Sequence, residues 1–214
     1  MTPRTRDADA SRTALMRAAS AAFASAGFAG ARTQEIADAA GVNKAMIKYH
    51  FGGKQELYSA VVLDHIIRGQ ESIAESMPGA DAPPPERLDA FLLALGRCVE
   101  EQPDFVPIIM REQMDGARYL EAEVRQRFFG FFGMVREILE EGIAGGQFRP
   151  LDPHATHLSL IGSLMMYKLT EPARATYQRA GAMPSPIPSW SEYVDHVREL
   201  FAIGLQADDD DKRA

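Results

Sequence analysis

A single cysteine, Cys98, in 214 residues excludes an intrachain disulfide framework and fits a reducing compartment. No apolar run approaches the roughly 18–20 residues of a membrane span. The polar start MTPRTRDADASR carries no apolar leader core, so a cytoplasmic protein is expected. A phosphate-binding glycine loop, a nucleophile elbow and an HExxH pair are also absent, so neither an enzyme nor a cofactor is expected. No stretch alternates with the period of a strand, and there is no internal repeat. With 46% hydrophobic and 25% charged residues, the composition is that of a globular chain with room for one sizeable core or two smaller ones.

Net positive charge is missing as well. The formal charge of −7 argues at first against nucleic acid. Its distribution argues the other way. Residues 1–51 hold seven basic side chains (Arg4, Arg6, Arg12, Arg17, Arg32, Lys44, Lys48) against four acidic ones (Asp7, Asp9, Glu35, Asp38). That segment is therefore +3 and the remainder −10. An acidic protein binds DNA if the field at its contact face is positive.

What is present is organised around residues 33–54, TQEIADAAGVNKAMIKYHFGGK. Ile36, Ala37 and Ala40 form a short stripe of small residues against which a second helix can cross closely. Thr33 is expected to cap the first helix and Asn43 the second. Gly41 suits the left-handed conformation of a helix C-terminus, and Val42 anchors the turn. Ile47 and Phe51, one turn apart, are expected to face inward. Two helices joined by a short glycine turn make a helix-turn-helix, whose second helix enters the DNA major groove.

IADAAGVNKAMIKYHFGGKQELY resembles the DNA-binding signature of the TetR (tetracycline-repressor-like) transcriptional regulators, and AAFASAGFAGARTQEIA resembles the rest of that family's N-terminal domain. The match runs without a gap from Ser11 to Tyr58, about a quarter of the chain. YHF-x-x-K-x-x-LY is its most specific part. Three positions depart from the family pattern. Lys48 stands where Tyr is frequent, Met46 where a small polar residue is common, and Gly53 where Ser or Asp often caps the next helix. The resemblance implies DNA contacts, mostly to phosphates, by Thr33, Lys44, Tyr49, His50 and Lys54. Lys44, Ala45 and Met46 open the recognition helix, where side chains meet base edges, and Lys48 lies on its outer face.

The rest of the chain reads as helix, giving an all-α fold of about nine helices. Residues 1–10 are expected to be a flexible, disordered arm; the alternative is that Arg4 and Arg6 reach the DNA backbone or a groove. The first helix spans about 11–26 and stops at Gly27, with Phe28 plugging the small core. A fourth helix covers 54–76 and is ended by MPGADAPPP. Amphipathic helices follow at about 86–101 and 103–115. A single long one is expected over 121–144, another over 153–170 and a last one after Ser189, whose spacing to Glu192 is that of a capping box. Residues 171–188 read as loop. The division expected is a DNA-binding domain 1–58, an effector-binding and dimerisation domain 59–207, and an acidic, disordered tail 208–214 that carries the enteropeptidase string DDDDK.

Two candidate sites lie in the body. The 153–170 helix shows an apolar stripe (Leu158, Ile161, Met165, Leu169) beside a stripe of mostly small residues (Ala155, Ser159, Gly162, Met166). The second stripe suits close approach of a partner chain. The resemblance implies that the last two long helices pair with those of a second copy, which adds Val197 and Phe201. It also implies an effector cavity among the body helices. The candidates are Phe91, Leu95, Met110, Met114, Phe128, Phe131, Phe132 and Met165, because flexible methionines and broad rings suit an apolar pocket. His154 and His157, three residues apart near Asp152, lack a third ligand, so no metal is expected. Cys98 reads as a small core residue. The leading expectation is a homodimeric repressor, released from an inverted-repeat operator by a small apolar or aromatic effector. The alternative is a ligand-independent DNA-organising or partner-binding protein on the same fold.

Overall fold

Apolar periodicity, interrupted by glycine and proline, divides the chain into helices alone. The computed structural model describes the backbone of residues 3–207 and the side chains of residues 8–207. Within these it has eleven helices: α1 (Pro3–Gly30), α2 (Thr33–Ala40), α3 (Ala45–Phe51), α4 (Lys54–Ser76), α5 (Pro84–Glu101), α6 (Phe105–Met114), α7 (Ala122–Phe128), α8 (Gly130–Ala144), α9 (Pro153–Leu169), α10 (Glu171–Arg179) and α11 (Trp190–Gly204). Among the described residues the only extended pairing is an isolated antiparallel bridge between Phe148 and Gln206. None of the described helices is long and apolar enough to cross a membrane.

Eleven replaces the expected nine for two reasons. The stretch 121–144 is not one helix: it breaks at Phe129, next to Gly130, into α7 and α8. The presumed loop 171–188 contains α10, which opens with Pro172 in its first turn and buries no residue. A helix exposed all round has no apolar stripe to read. The prolines before α5 also act differently from expectation, since Pro84 and Pro85 open that helix. Proline is tolerated in a first turn, where its missing N–H has no intrahelical partner anyway.

At the other end, helical backbone reaches back to Pro3, so the expected flexible arm is corrected to helix from that residue on. The Arg4 and Arg6 side chains and the tail 208–214 lie outside the described residues. Gly27 interrupts α1 as expected, with φ 68° and ψ 176°, a conformation that disfavours any residue with a Cβ.

The helices group into two compact units. One comprises the residues up to Arg68 together with Gln102–Arg127; the other comprises Gly69–Glu101 together with the residues from Phe128 onward. The expected division after residue 58 falls inside the first unit, because α6 packs on α1.

In the first unit Leu15, Ala19 and Phe23 of α1 are buried with Ile36 and Ala37 of α2, Ile47 of α3, and Leu57, Tyr58, Val61 and Val62 of α4. Phe105, Val106, Ile108 and Ile109 are the buried side of α6. In the second unit α5 contributes Leu88, Phe91, Leu92, Leu95, Cys98 and Val99, and α8 contributes Phe131, Val135, Ile138 and Leu139. Helices α5 and α11 approach closely at Gly96, where an added Cβ would stand 2.9 Å from Val194 Cγ2. Arg198 of α11 then forks onto Asp89 of α5 at 2.8 and 2.7 Å. Each fully buried Val, Leu, Ile or Phe contributes about 1.5–3 kcal/mol, whereas an exposed ion pair contributes about 0–1 kcal/mol. The apolar cores therefore dominate both units.

Candidate nucleic-acid interface

The helix-turn-helix forms where its sequence places it. Gly41 ends α2 in the left-handed region (φ 68°, ψ 28°). The N–H of Gly41 then bonds the Asp38 carbonyl at 3.1 Å and that of Val42 the Ala37 carbonyl at 3.0 Å. These bonds satisfy carbonyls that a helix end otherwise leaves open. Lys44, not the expected Asn43, holds the cap position of α3 and has no side-chain cap bond; Asn43, one residue earlier, accepts the Ala45 N–H through its Oδ1 at 2.8 Å. Thr33 does not cap α2. It is the first helical residue, and Arg32 holds the cap position with no side-chain bond.

Ile47 anchors α3 in the core, and Phe51 is half-buried with the Arg12 guanidinium 5.2 Å over its ring. The opposite face is open. Lys44, Ala45, Lys48 and Tyr49 are exposed, the Tyr49 side chain to 75%, while Met46, His50 and Thr33 are half-buried. His50 presents its ring edge-on to Tyr49 at 4.9 Å, and its buried Nε2 meets no partner. Lys54 is held differently from the other two lysines. Its Nζ lies 4.7 Å above the Phe28 ring, and partial burial lowers its pKa.

A second set of polar residues, which the sequence did not single out, fixes α6 and the segment after it to this head. Arg111 donates to the Ala24 and Ser25 carbonyls at 3.3 and 3.0 Å. These are among the last carbonyls before the break at Gly27. Glu112, 1% exposed, accepts the Tyr58 hydroxyl at 2.9 Å and the N–H groups of Tyr119 and Leu120 at 2.7 and 3.1 Å. Phe28 sits between Tyr58 and Tyr119, with ring centroids 5.2 and 4.5 Å away. Deeper in, Ser20 of α1 bonds His65 Nε2 at 2.9 Å and donates to Asp104 at 2.8 Å. His65 Nδ1 lies 2.8 Å from Gln102 Oε1. Burial is the main cause that lowers the pKa of His65. One signal was available in the sequence: Glu112 stands three residues after Ile109 and four after Ile108, on the buried face of α6.

The expected pocket residues do not come together around a described cavity. Met110 and Met114 belong to the first unit, and Met114 is 75% exposed. In the second unit Phe91, Leu95, Phe131 and Met165 are buried in the core, and Phe128 and Phe132 are half-buried. A cavity of 120 Å³ lies instead beneath the Arg198–Asp89 pair, against Phe148 and Phe201. Another of 230 Å³ opens between α10 and the start of α11.

The two stripes of α9 are partly exchanged. Leu160, Leu164 and Met165 are its buried residues; Leu158 is 58% exposed and Ile161 half-buried. Ala155, Ser159, Gly162 and Met166 all lie exposed. On α11 Val197 is 2% exposed and belongs to the chain's own core, not to an open face. Phe201 is half-buried, and the open apolar residues are Leu200 and Ile203. His154 and His157 both sit edge-on to Phe132, at 5.3 and 5.1 Å. Among the described residues no three His, Cys, Asp or Glu side chains are placed to hold a metal ion.

Comparison with known proteins bears on the whole arrangement. Residues 15–61 match a family model described as bacterial regulatory proteins, tetR family, and residues 84–182 match one described as tetracyclin repressor-like, C-terminal domain. The HTH-type transcriptional repressor NicS of Pseudomonas putida is 29% identical over 166 residues, covering 77% of this chain and 77% of NicS. The HTH-type transcriptional regulator RutR of Escherichia coli K12 is 26% identical over 206 residues, covering 95% of this chain and 94% of RutR. Among solved structures, the fatty acid degradation regulator FadR of Bacillus halodurans shares the fold with a TM-score of 0.67 at 18% identity, covering 94% of this chain and 96% of that one.

Proposed function

Because this chain belongs to the TetR family of DNA-binding transcriptional regulators, as its two family matches establish over more than half of its length, we propose that it acts as a homodimeric repressor of an inverted-repeat operator. The observation that carries the reading is the open face of α3. Lys44 and Lys48 are exposed there, neither has an ion-pair partner among the described residues, and Tyr49 is exposed beside them in sequence. Lysines held by a rigid helix form charge-assisted bonds to phosphate oxygens, which position a protein on the duplex. Ala45 and Met46 supply apolar contacts of the kind that suits a thymine methyl.

Pairing of two chains is supported by the exposed apolar residues of α9 and α11: Leu158, Met166, Leu200 and Ile203. Two heads held by such an interface read half-sites about 34–36 Å apart, or a multiple of that spacing. Release by an effector is supported by the way α6 is tied to the head. Arg111, Glu112 and Tyr119 make α6 and the residues after it part of the DNA-reading unit. A ligand that displaces α6 therefore displaces α1 and α4 with it. A coupling of about 1–3 kcal/mol gives roughly 5–150-fold regulation. An apolar or aromatic effector fits the half-buried Phe128 and Phe132. The ligand-independent alternative draws support from the described cavities, which are small and lie apart from those rings.

Selection of duplexes from a random pool tests the reading. Recovery of an inverted repeat supports a dimeric operator. Recovery of no preferred sequence supports the DNA-organising alternative.

A further inference from the structure

The 230 Å³ cleft between α10 and the segment leading into α11 holds a group that the repressor reading leaves unused. Arg174 of α10 lies on its wall with its Cζ 3.6 Å from the centroid of the Tyr167 ring. One end of the guanidinium is occupied, because Nη1 donates to the Tyr167 carbonyl and to the Thr170 hydroxyl. The other edge is not. Nε is buried without an acceptor, and no described carboxylate pairs with this arginine. The nearest acid of the cleft, Glu171, is engaged by Lys168 Nζ at 2.7 Å. A guanidinium carries five donors in a planar fork, and the Nε–Nη2 edge matches the two oxygens of a carboxylate.

The remaining walls are mixed: Ala175, Ile187, Pro188 and Trp190 supply apolar surface, and Glu171, Gln178 and Ser189 supply polar groups. Tyr167 is clamped by Tyr193, whose ring stacks on it at 3.7 Å and 9°. Its hydroxyl donates to the Pro188 carbonyl, which fixes the segment before α11. Trp190 is pinned by its indole N–H, which bonds the Gly96 carbonyl at 2.9 Å, so its ring serves as a wall. Ile187 and Pro188 close the side opposite α10. A buried donor without an acceptor is costly to leave unmet, and an incoming anion removes that cost.

We propose that this cleft binds a small aromatic carboxylate, with its ring against Trp190, Ile187 and Pro188 and the edge of Tyr167, whose two faces are taken by Arg174 and Tyr193, and with its two oxygens on the Arg174 edge. Size supports the class. The volume is below the roughly 300–1,000 Å³ of drug-sized sites and above the roughly 150 Å³ that accommodates benzene. The site stands on its own chemistry, whether or not its occupant controls DNA binding.

Trp190 is the chain's only tryptophan and lines the cleft, so its fluorescence reports occupancy directly. Sodium benzoate is titrated into the full chain, with benzamide as the neutral ring, acetate as the anion without a ring, and sodium chloride at matched ionic strength. The expected result is a saturable change with benzoate, with benzamide and acetate each weaker by roughly tenfold or more. Arg174→Gln should remove the benzoate response. Ala175→Phe, which fills the cleft and leaves every bond of Arg174 in place, should remove it too, and this second variant decides if the first alters the fold. No saturable response to benzoate, an equal response to benzamide, or a response that survives Ala175→Phe overturns the proposal.

Discussion

The Tyr58 hydroxyl donates to the Glu112 carboxylate at 2.9 Å, and this bond joins α4 to α6 inside the DNA-reading unit. Burial, and then the bond itself, push the Tyr58 phenol well above its ordinary pKa, so it remains a donor at any working pH. Glu112 also accepts two backbone N–H groups, so a single side chain terminates three donors.

Replacing Glu112 by Ala leaves those donors without an acceptor. Each buried unmet group costs about 1–3 kcal/mol, so a fall in melting temperature of many degrees is expected. Glu112→Gln keeps one acceptor oxygen and should lose less. Thermal denaturation checks the order, and equal losses would show that only side-chain volume matters there.

Stability should decline as pH falls below about 6.5, the ordinary histidine value. Burial lowers the pKa of His65, and burial together with His154 lowers that of His157. The unfolded chain therefore takes up protons at a higher pH than the folded one. Stability from these groups is full above the unfolded value and lost as pH drops toward the folded one. Asp104 reaches His65 through Ser20, and Asp64 and Arg68 flank it, Arg68 at 3.4 Å from Nδ1. Melting temperatures from pH 8 to 5.5 should show the decline, and His65→Gln should flatten part of it. An unchanged slope in that variant places the titration elsewhere.

Assembly separates two kinds of residue on α9 and α11. A Cβ at Gly162 meets nothing within 4 Å in the single chain, so Gly162→Arg is expected to leave the fold of the chain intact. It places an unpaired charge in the proposed interface, a penalty of about several kcal/mol. Sedimentation should find folded monomer. Val197→Ala acts on the protomer core instead and should cost about 1–3 kcal/mol of stability while leaving the surface unaltered. A stable Gly162→Arg dimer would place the interface elsewhere.

The helix-turn-helix was legible because its signals are local: a small-residue stripe, Gly41 in the left-handed region, and Asn43 bonding two residues ahead. The face of α9 was not legible. Leu158, Leu160, Ile161, Leu164 and Met165 surround that helix, so periodicity alone cannot say which of them its neighbours cover. Helix α10 has the opposite problem, with no buried residue and so no stripe at all. The bond between Glu112 and Tyr58 joins positions 54 residues apart, and only the packing of α6 on the head makes a buried carboxylate there affordable. The described cavities are lined by other residues than the expected pocket set. Phe and Met content announces apolar surface, but tertiary packing decides whether that surface lines a cavity or fills a core.

Lysine contacts are tested through their salt dependence. Lys44→Ala and Lys48→Ala should each weaken binding to all duplexes alike and reduce the slope of log affinity against log salt by about 0.9, the share of one phosphate. Lys54→Ala should also lower the melting temperature slightly, since its ammonium rests on Phe28. A change of base preference in the Lys48 variant would make it a base-reading residue instead.

The central claim, a dimer whose two α3 helices read one inverted repeat, is tested most directly by fluorescence anisotropy on a selected duplex, with stoichiometry measured by sedimentation on the same sample. The account predicts two chains per duplex, affinity falling steeply with salt, and loss of binding when either half-site is scrambled. One chain per duplex, with affinity unchanged by scrambling a half-site, would contradict it.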